Sequence, residues 1–265
     1  MSADPRLVEL ATREQQEAFL SFLVVDGAER IDVPGVVAID SGTDFPLFNG
    51  VLHTDLGGDA LAGAVESVGA RFAASGRPWM WWHRPTASPE DLGARLQALS
   101  FTAAGSQPVM VRHGGEPPPA PVVDDLEIRA VTDVAGLDVL LSVLGPAFGL
   151  PPVAMEFFRA AFLAVGFGGD APGRHFVGRI AGEPVGSASV LFHDGIAGIY
   201  NIGAVESVRR RGVGAAMTAA AITAGLATGV DVCSLQSSEA GYRVYEALGF
   251  SEVCRFDMYV PPGHG

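Results

Sequence analysis

The chain has 265 residues, 48% of them hydrophobic, and a formal net charge of −13. That length holds one large domain or two small ones around a sizeable core. So acidic a balance argues against nucleic acid and anionic membranes as main partners. It suits a cationic substrate, or simply solubility. Cys233 and Cys254 fall on expected strands, where reduced and buried thiols are the expectation; two cysteines alone make no metal site, so no metal is expected. The N-terminal stretch is charged and lacks an apolar signal region. The long uncharged run Gly212 to Val230 is Gly, Ala and Thr-rich, too weakly apolar to insert in a bilayer, and reads as a buried helix. A soluble, cytoplasmic protein is expected.

Taken in order, the chain opens with an amphipathic helix, roughly Arg13 to Val25, with Phe19, Leu20, Phe22 and Leu23 on its core face. "GVVAIDS" and Leu47 to His53 read as strands, followed by a helix from about Asp59 to Ser75. The latter carries Leu61, Val65, Val68 and Phe72 on one side. "RPWMWWHRP" is a short aromatic strand. Its Trp79, Trp81 and Trp82 serve either as core or as a cation–π surface for an amine. "SPEDLGARLQALSF" reads as a helix capped by Ser88 with Pro89 at the first helical position and Glu90 and Asp91 in the first turn, and "PVMVRH" as a strand. His113 to Asp125, "HGGEPPPAPVVDD", is too rich in proline and glycine for helix or central strand. It divides the chain into residues 1–113, a linker 114–125, and residues 126–265.

The second segment begins with the strand "LEIRAVTD" and a helix over Val134 to Leu144, capped by Asp133 or Thr132. A further helix covers Val153 to Val165; Met155, Phe157, Phe158 and Phe162 line a pocket or pack. Three antiparallel strands follow, with turns at Gly182-Glu183 and Asp194-Gly195. Then comes "YNIGAVESVRRRGVGAAMTAAAI", Tyr200 to Ile222: a strand, an arginine-rich glycine turn, and a helix. This is a device for gripping phosphate, because glycines let N–H groups converge and a new helix adds its free N–H groups and positive dipole end. The glycine spacing excludes the dinucleotide fingerprint, and the P-loop is excluded because the chain has no lysine. "VDVCSLQ", a helix bearing Tyr245, and "RFDMYV" complete the order.

Arg209-x-x-Gly212-x-Gly214 resembles the acyl-CoA pyrophosphate loop of the GNAT (N-acetyltransferase) superfamily, Arg/Gln-x-x-Gly-x-Gly/Ala. "AGYRVYEALGF", Ala240 to Phe250, looks like that family's last helix, with Tyr245 four residues before Gly249-Phe250. The resemblance covers Leu126 to about Val260 well and the first half loosely. It implies an α/β fold, of the mixed α+β kind: two GNAT-like domains, each a mostly antiparallel central sheet flanked by helices. It also implies an acyltransferase using acetyl-CoA as co-substrate and a small-molecule or peptide amine as acceptor. The backbone of Arg209, Arg210, Arg211, Gly212, Val213, Gly214 and Ala215 would hold the pyrophosphate. One arginine would face it while the others are exposed or pair with carboxylates. Ile202, Gly203 and Ala204 would meet the pantetheine arm as an added strand. Tyr245 would be the general acid toward the leaving thiolate, with Tyr242 as fallback. No base is selected among Glu156, His175, His193, Asn201, Glu206 and ordered water. Gln236, Ser237 and Ser238 would contact CoA or cap the next helix, and Ser237 is taken as a CoA contact. The family often has proline shortly after the strand, where this chain has Glu206. The alternative function is a non-catalytic CoA-binding or regulatory module. Acceptor identity and oligomeric state stay open.

The halves also resemble each other. Phe48 to Val51, Trp79 to Trp82 and Leu99 to Phe101 match Tyr200 to Gly203, Val232 to Leu235 and Leu248 to Phe250 at offsets of 149 to 153 residues. This suggests an internal duplication. The first copy has "LGGDALAG" in place of "VRRRGVG". Asp55 and Asp59 would repel a pyrophosphate there, so the first half reads as a degenerate copy that binds no CoA.

Overall fold

The computed structural model describes residues 4–57, 60–119, 121–168, 171–193 and 195–263. The expected Asp59 helix start and the Asp194 half of a turn lie outside the described residues. The chain divides into two compact units, Met1–Pro108 with Cys254–Gly265, and Val109–Val253. The expected linker began after His113; here Val109–His113, the second half of β5 (Thr102–His113), pair antiparallel with Val232–Gln236 of the second unit. In addition β11 (Ser251–Val260), expected in the second domain, pairs antiparallel with β4 (Met80–His83) of the first unit.

The first unit opens on α1 (Pro5–Leu20), which starts earlier than expected. Asp4 caps it by accepting from the Arg6 N–H at 2.9 Å, and Pro5 occupies the first helical position. Beyond it lie β1 (Glu29–Ile31), β2 (Val36–Asp40), β3 (Gly50–Thr54), α2 (Ala60–Ser75), β4 and α3 (Leu92–Ala98). Ser88 does not cap α3, which begins at Leu92 with Asp91 before it. The Ser88 N–H instead donates to the Thr54 carbonyl at 2.9 Å. Strands β1, β2 and β3 run antiparallel, and β3 runs parallel to β4 through Gly50–Met80 and Val51–Trp81. Trp79, Trp81 and Trp82 are all buried, and Trp79 and Trp81 form the core with Val68, Phe72 and Leu96. The aromatic strand is therefore core.

The second unit holds β6 (Leu126–Ala130), α4 (Val134–Phe148), α5 (Pro152–Val165), β7 (Gly173–Ile180), β8 (Glu183–His193) and β9 (Ile196–Ala204). It continues through α6 (Val213–Leu226), β10 (Val232–Gln236) and α7 (Glu239–Ala247). Its strands follow the order β5-β10-β9-β8-β7-β6. The β7–β8 turn is Ala181-Gly182, one residue earlier than expected, because Ile180 pairs with Glu183 and both turn residues have positive φ. Asp133 caps α4, accepting from the Gly136 N–H at 2.7 Å. Helices α4 and α6 both pack on β7, β8 and β9. A Cβ on Gly203 would meet Ala147 of α4, whereas one on Gly186 would meet Val213 and Met217 of α6. The sheet is therefore covered on both faces. Phe157, Phe158 and Phe162 of α5 are buried and pack. No helix among the described residues is long and apolar enough to cross a membrane.

Candidate active site: a splayed strand pair and an arginine–glycine turn

Strands β9 and β10 are parallel and pair only at Ala197–Cys233 and Gly198–Ser234 among the described residues. Beyond Gly198 they part, leaving the C-terminal half of β9 with an open edge. The Val205 N–H bonds back to the Val185 carbonyl at 3.0 Å. By antiparallel alternation, Ala204 then turns its N–H and C=O toward the opening, while Gly203 turns its own toward β8. Gly203 matters here for closeness: a Cβ would sit 2.7 Å from Ser187 Oγ and 2.9 Å from Ala147 Cβ.

Between these strands β9 carries a bulge. Ser187 pairs with Gly203 and Ser189 with Tyr200, so Asn201 and Ile202 stand opposite Ala188 alone. Asn201 takes a φ of 56°, the left-handed region that asparagine tolerates better than most residues. It is held from two sides. Its carbonyl accepts from Ser187 Oγ at 2.8 Å, and its Nδ2 donates to Ser189 Oγ at 3.1 Å. Ser189 Oγ also bonds His175 Nδ1 at 2.8 Å. His175 is buried under Phe162, ring centres 4.3 Å apart, and burial pushes its imidazole down to about 4. It is therefore neutral at physiological pH and a weak base. The bulge and its buried support were not foreseen from sequence. An asparagine inside an apolar strand was the available signal.

The turn after β9 passes through a short 3₁₀ segment, Glu206–Val208, to Arg209 and Gly212. Arg210 and Gly212 both have positive φ, 61° and 87°. Gly212 precedes α6 directly, so the helix starts at Val213, one residue earlier than expected. Among the described residues the N–H groups of Gly212, Val213, Gly214 and Ala215 have no acceptor; the first intrahelical bond is Ala216 N–H to the Gly212 carbonyl at 3.0 Å. A Cβ on Gly214 would meet nothing within 4 Å, so the space beside it is open. Arg209 reaches the Ala147 carbonyl through Nη2 at 3.3 Å. All three arginines are exposed, and none pairs with a carboxylate among the described residues. A run of free N–H groups at a helix start, preceded in the chain by three exposed arginines with no carboxylate partner among the described residues, suits a diphosphate.

At the end of β10, Gln236 Nε2 is buried without an acceptor among the described residues. Ser237 is buried, and its hydroxyl donates to the Ser238 carbonyl at 2.7 Å. Ser238 caps α7, its Oγ accepting from the Gly241 N–H at 3.2 Å. Tyr245, on α7, packs edge-on against Phe250 with ring centres 6.1 Å apart. Its hydroxyl has no hydrogen-bond partner among the described residues, and burial pushes the phenol up to about 12. Tyr242 is more open; residual desolvation, then its bond to Glu252, raises its phenol.

In the first unit, β3 is followed by two backbone bonds to residues distant in sequence. The Asp55 N–H donates to the Gly35 carbonyl at 2.7 Å and the Leu56 N–H to the Ser88 carbonyl at 3.0 Å. Trp81 Nε1 bonds Thr54 Oγ1 at 2.9 Å, tying β4 to β3 past their two paired positions. Those two donors, on the residues directly after β3, are occupied.

Residues 146–250 match the Acetyltransferase (GNAT) family. No curated protein matches the chain in sequence. In fold it is similar to a GCN5-related N-acetyltransferase from Kribbella flavida, with a TM-score of 0.76 at 19% identity over 96% of both chains. It is also similar to a GCN5-related N-acetyltransferase from Sphaerobacter thermophilus, TM-score 0.58 at 20% identity, covering 88% of this chain and 75% of that one. A functionally unknown conserved protein from Staphylococcus epidermidis gives 0.64 at 12% identity, covering 89% and 94%. The matched segment runs from the end of α4 through the splayed strands and the arginine turn to Phe250.

Proposed function

We propose that the second unit transfers an acetyl group from acetyl-CoA to a primary amine by direct attack. The observation that carries this is the run of acceptor-less N–H groups from Gly212 to Ala215, set beside the open edge of β9. These groups, with one of Arg209, Arg210 and Arg211, receive the pyrophosphate. Ala204 offers its N–H and C=O to the pantetheine amides as an added strand would, and Gln236 Nε2 is a donor for a further carbonyl. Ile202, in the bulge, is a backbone contact for the acyl end. Gly203 keeps α4 close to the sheet. Ser237 acts on CoA indirectly, by fixing the start of α7.

Tyr245 is the proton donor toward sulfur. Its magnitude limits how it works. A phenol near 12 facing a thiolate of ordinary pKa about 8.5 would lose its proton uphill by about 5 kcal/mol. Tyr245 therefore donates a hydrogen bond as negative charge grows on sulfur, and passes its proton only as the nitrogen releases one to replace it. The new C–N bond forms, the C–S bond breaks, and sulfur leaves with the pair.

We further propose that the first unit is a degenerate copy of the second. Each unit pairs two strands antiparallel, then adds a third in parallel across a helix: β2-β3-β4 around α2, and β8-β9-β10 around α6. Each then closes with an antiparallel strand from the other half of the sequence, β11 beside β4 and β5 beside β10. The first unit's turn carries no arginine, which favours a CoA site in the second unit only. The test is mass spectrometry of an amine panel incubated with protein and acetyl-CoA. One acetylated amine should form per CoA released, with no acetylated protein when amine is omitted. CoA binding with no acetylated amine across the panel would mark a binding module instead.

A further inference from the structure

Strand β6 ends the strand order of the second unit, and its outer edge has no strand partner among the described residues. The Val131 N–H donates to the His175 carbonyl of β7 at 2.8 Å. Alternation then turns Glu127 and Arg129 inward in their backbone bonding, and Leu126, Ile128 and Ala130 outward. An edge with free backbone groups is a template for another strand.

Three features say which strand. First, the sequence Leu126-Glu127-Ile128-Arg129-Ala130 is self-complementary in charge. If a second copy pairs antiparallel with Ile128 opposite Ile128, each Glu127 falls opposite an Arg129. These are non-hydrogen-bonded positions, where facing side chains lie closest. Both side chains are exposed, Arg129 77% and Glu127 65%, and already form an ion pair along the strand at 2.8 Å. Pairing would join two such ion pairs into a four-charge cluster. Second, Ile128 would exchange two backbone bonds with its counterpart, and Ala130 N–H would meet the Leu126 carbonyl. The Leu126 N–H is already held by Val123 at 3.2 Å and needs no partner. Third, Leu126 and Ile128 line an apolar groove of about 680 Å³ beside the alanine face of α6, including Ala216 and Ala220. Val122 on its wall is 95% exposed, more than any other large apolar side chain among the described residues.

We infer that this edge and groove bind a second copy of the chain, β6 against β6 about a two-fold axis. Five-residue edge pairing alone buries less than the roughly 1,000 Å² a stable interface needs, so the groove of each copy must also be covered. The −13 charge on each copy opposes association, but screening limits its reach to about 8 Å at physiological salt.

Sedimentation velocity on the full chain across a micromolar series tests this, using Glu127→Arg, Arg129→Glu, their equimolar mixture, and the double swap. Wild type should dimerise reversibly. Each single variant sets like charges opposite each other twice and should weaken the dimer at least about tenfold. The mixture of singles should regain it as a heterodimer, and the double swap as a homodimer. Both residues are exposed, so the fold does not depend on them. A wild type that stays monomeric, a single variant that associates as wild type does, or a mixture that stays monomeric would each overturn the assignment.

Discussion

Replacing Gly214 separates what the turn does for the protein from what it does for a ligand. A Cβ there meets no atom within 4 Å. Gly214→Ala should therefore raise the stability of the unliganded chain by about 0.5–1 kcal/mol, the difference in helical preference between the two residues. The methyl carries no charge and should leave CoA binding within a few-fold of wild type. Gly214→Glu should also fold, since a carboxylate in the first helical turn interacts favourably with the dipole. That charge, however, would stand about 5 Å from a bound phosphate. At an effective dielectric of 20 the repulsion is about 3 kcal/mol, more than a hundredfold in Kd. Calorimetric titration with CoA measures the affinities, and thermal melts follow the fold. CoA at about 100 times its wild-type Kd contributes about 2.7 kcal/mol of stabilisation, a rise of roughly 5–10 °C in a chain of this size. Wild type and Gly214→Ala should show that rise and Gly214→Glu should not. A Gly214→Glu protein that folds and binds CoA as wild type does would refute the phosphate cradle. A Gly214→Ala protein that is destabilised would show that the space is not open.

Gly212→Ala should lower stability by about 1–2 kcal/mol in urea melts, since φ is 87° and the new Cβ would press Val123 at 3.3 Å. Tyr245→Phe should leave stability within about 0.5 kcal/mol, having no hydrogen bond to lose, while lowering kcat about a hundredfold with CoA affinity unchanged. With its phenol near 12, Tyr245 should contribute no break to the rate profile between about pH 6 and 10. His175 titrates near 4 when folded and near 6.5 when unfolded, so the unfolded chain binds the extra proton between these values. Its contribution to stability should be full above about pH 6.5 and fall away toward pH 4, by about 3 kcal/mol in all. Urea midpoints against pH should show this slope in wild type and lose it in His175→Gln.

Local chemistry was legible in the sequence. The arginine–glycine turn, helix α6 and the Asp133 cap each follow from a few adjacent residues whose preferences agree. Asp4-Pro5 was an equally plain start for α1. Strand partners were less accessible. "RFDMYV" reads as a strand whichever unit it joins, and nothing in its alternation says that it closes the first unit beside Trp81 and Trp82. The His175–Ser189–Asn201 chain depends on the register of β7, β8 and β9, where one residue of slip would turn each side chain to the other face. The splay of β9 from β10 is likewise a matter of where pairing stops, which periodicity does not record. The bonds that hold Asp55 and Leu56 after β3 rest on carbonyls of Gly35 and Ser88, remote in sequence from the turn they complete.

The most direct test of the central claim is the initial rate of free-thiol release from acetyl-CoA by the purified chain, with and without a panel of primary amines. Release should depend on amine, saturate with acetyl-CoA, and fall sharply in both Gly214→Glu and Tyr245→Phe. Release that is absent with every amine, or that proceeds unchanged in Gly214→Glu, would contradict it.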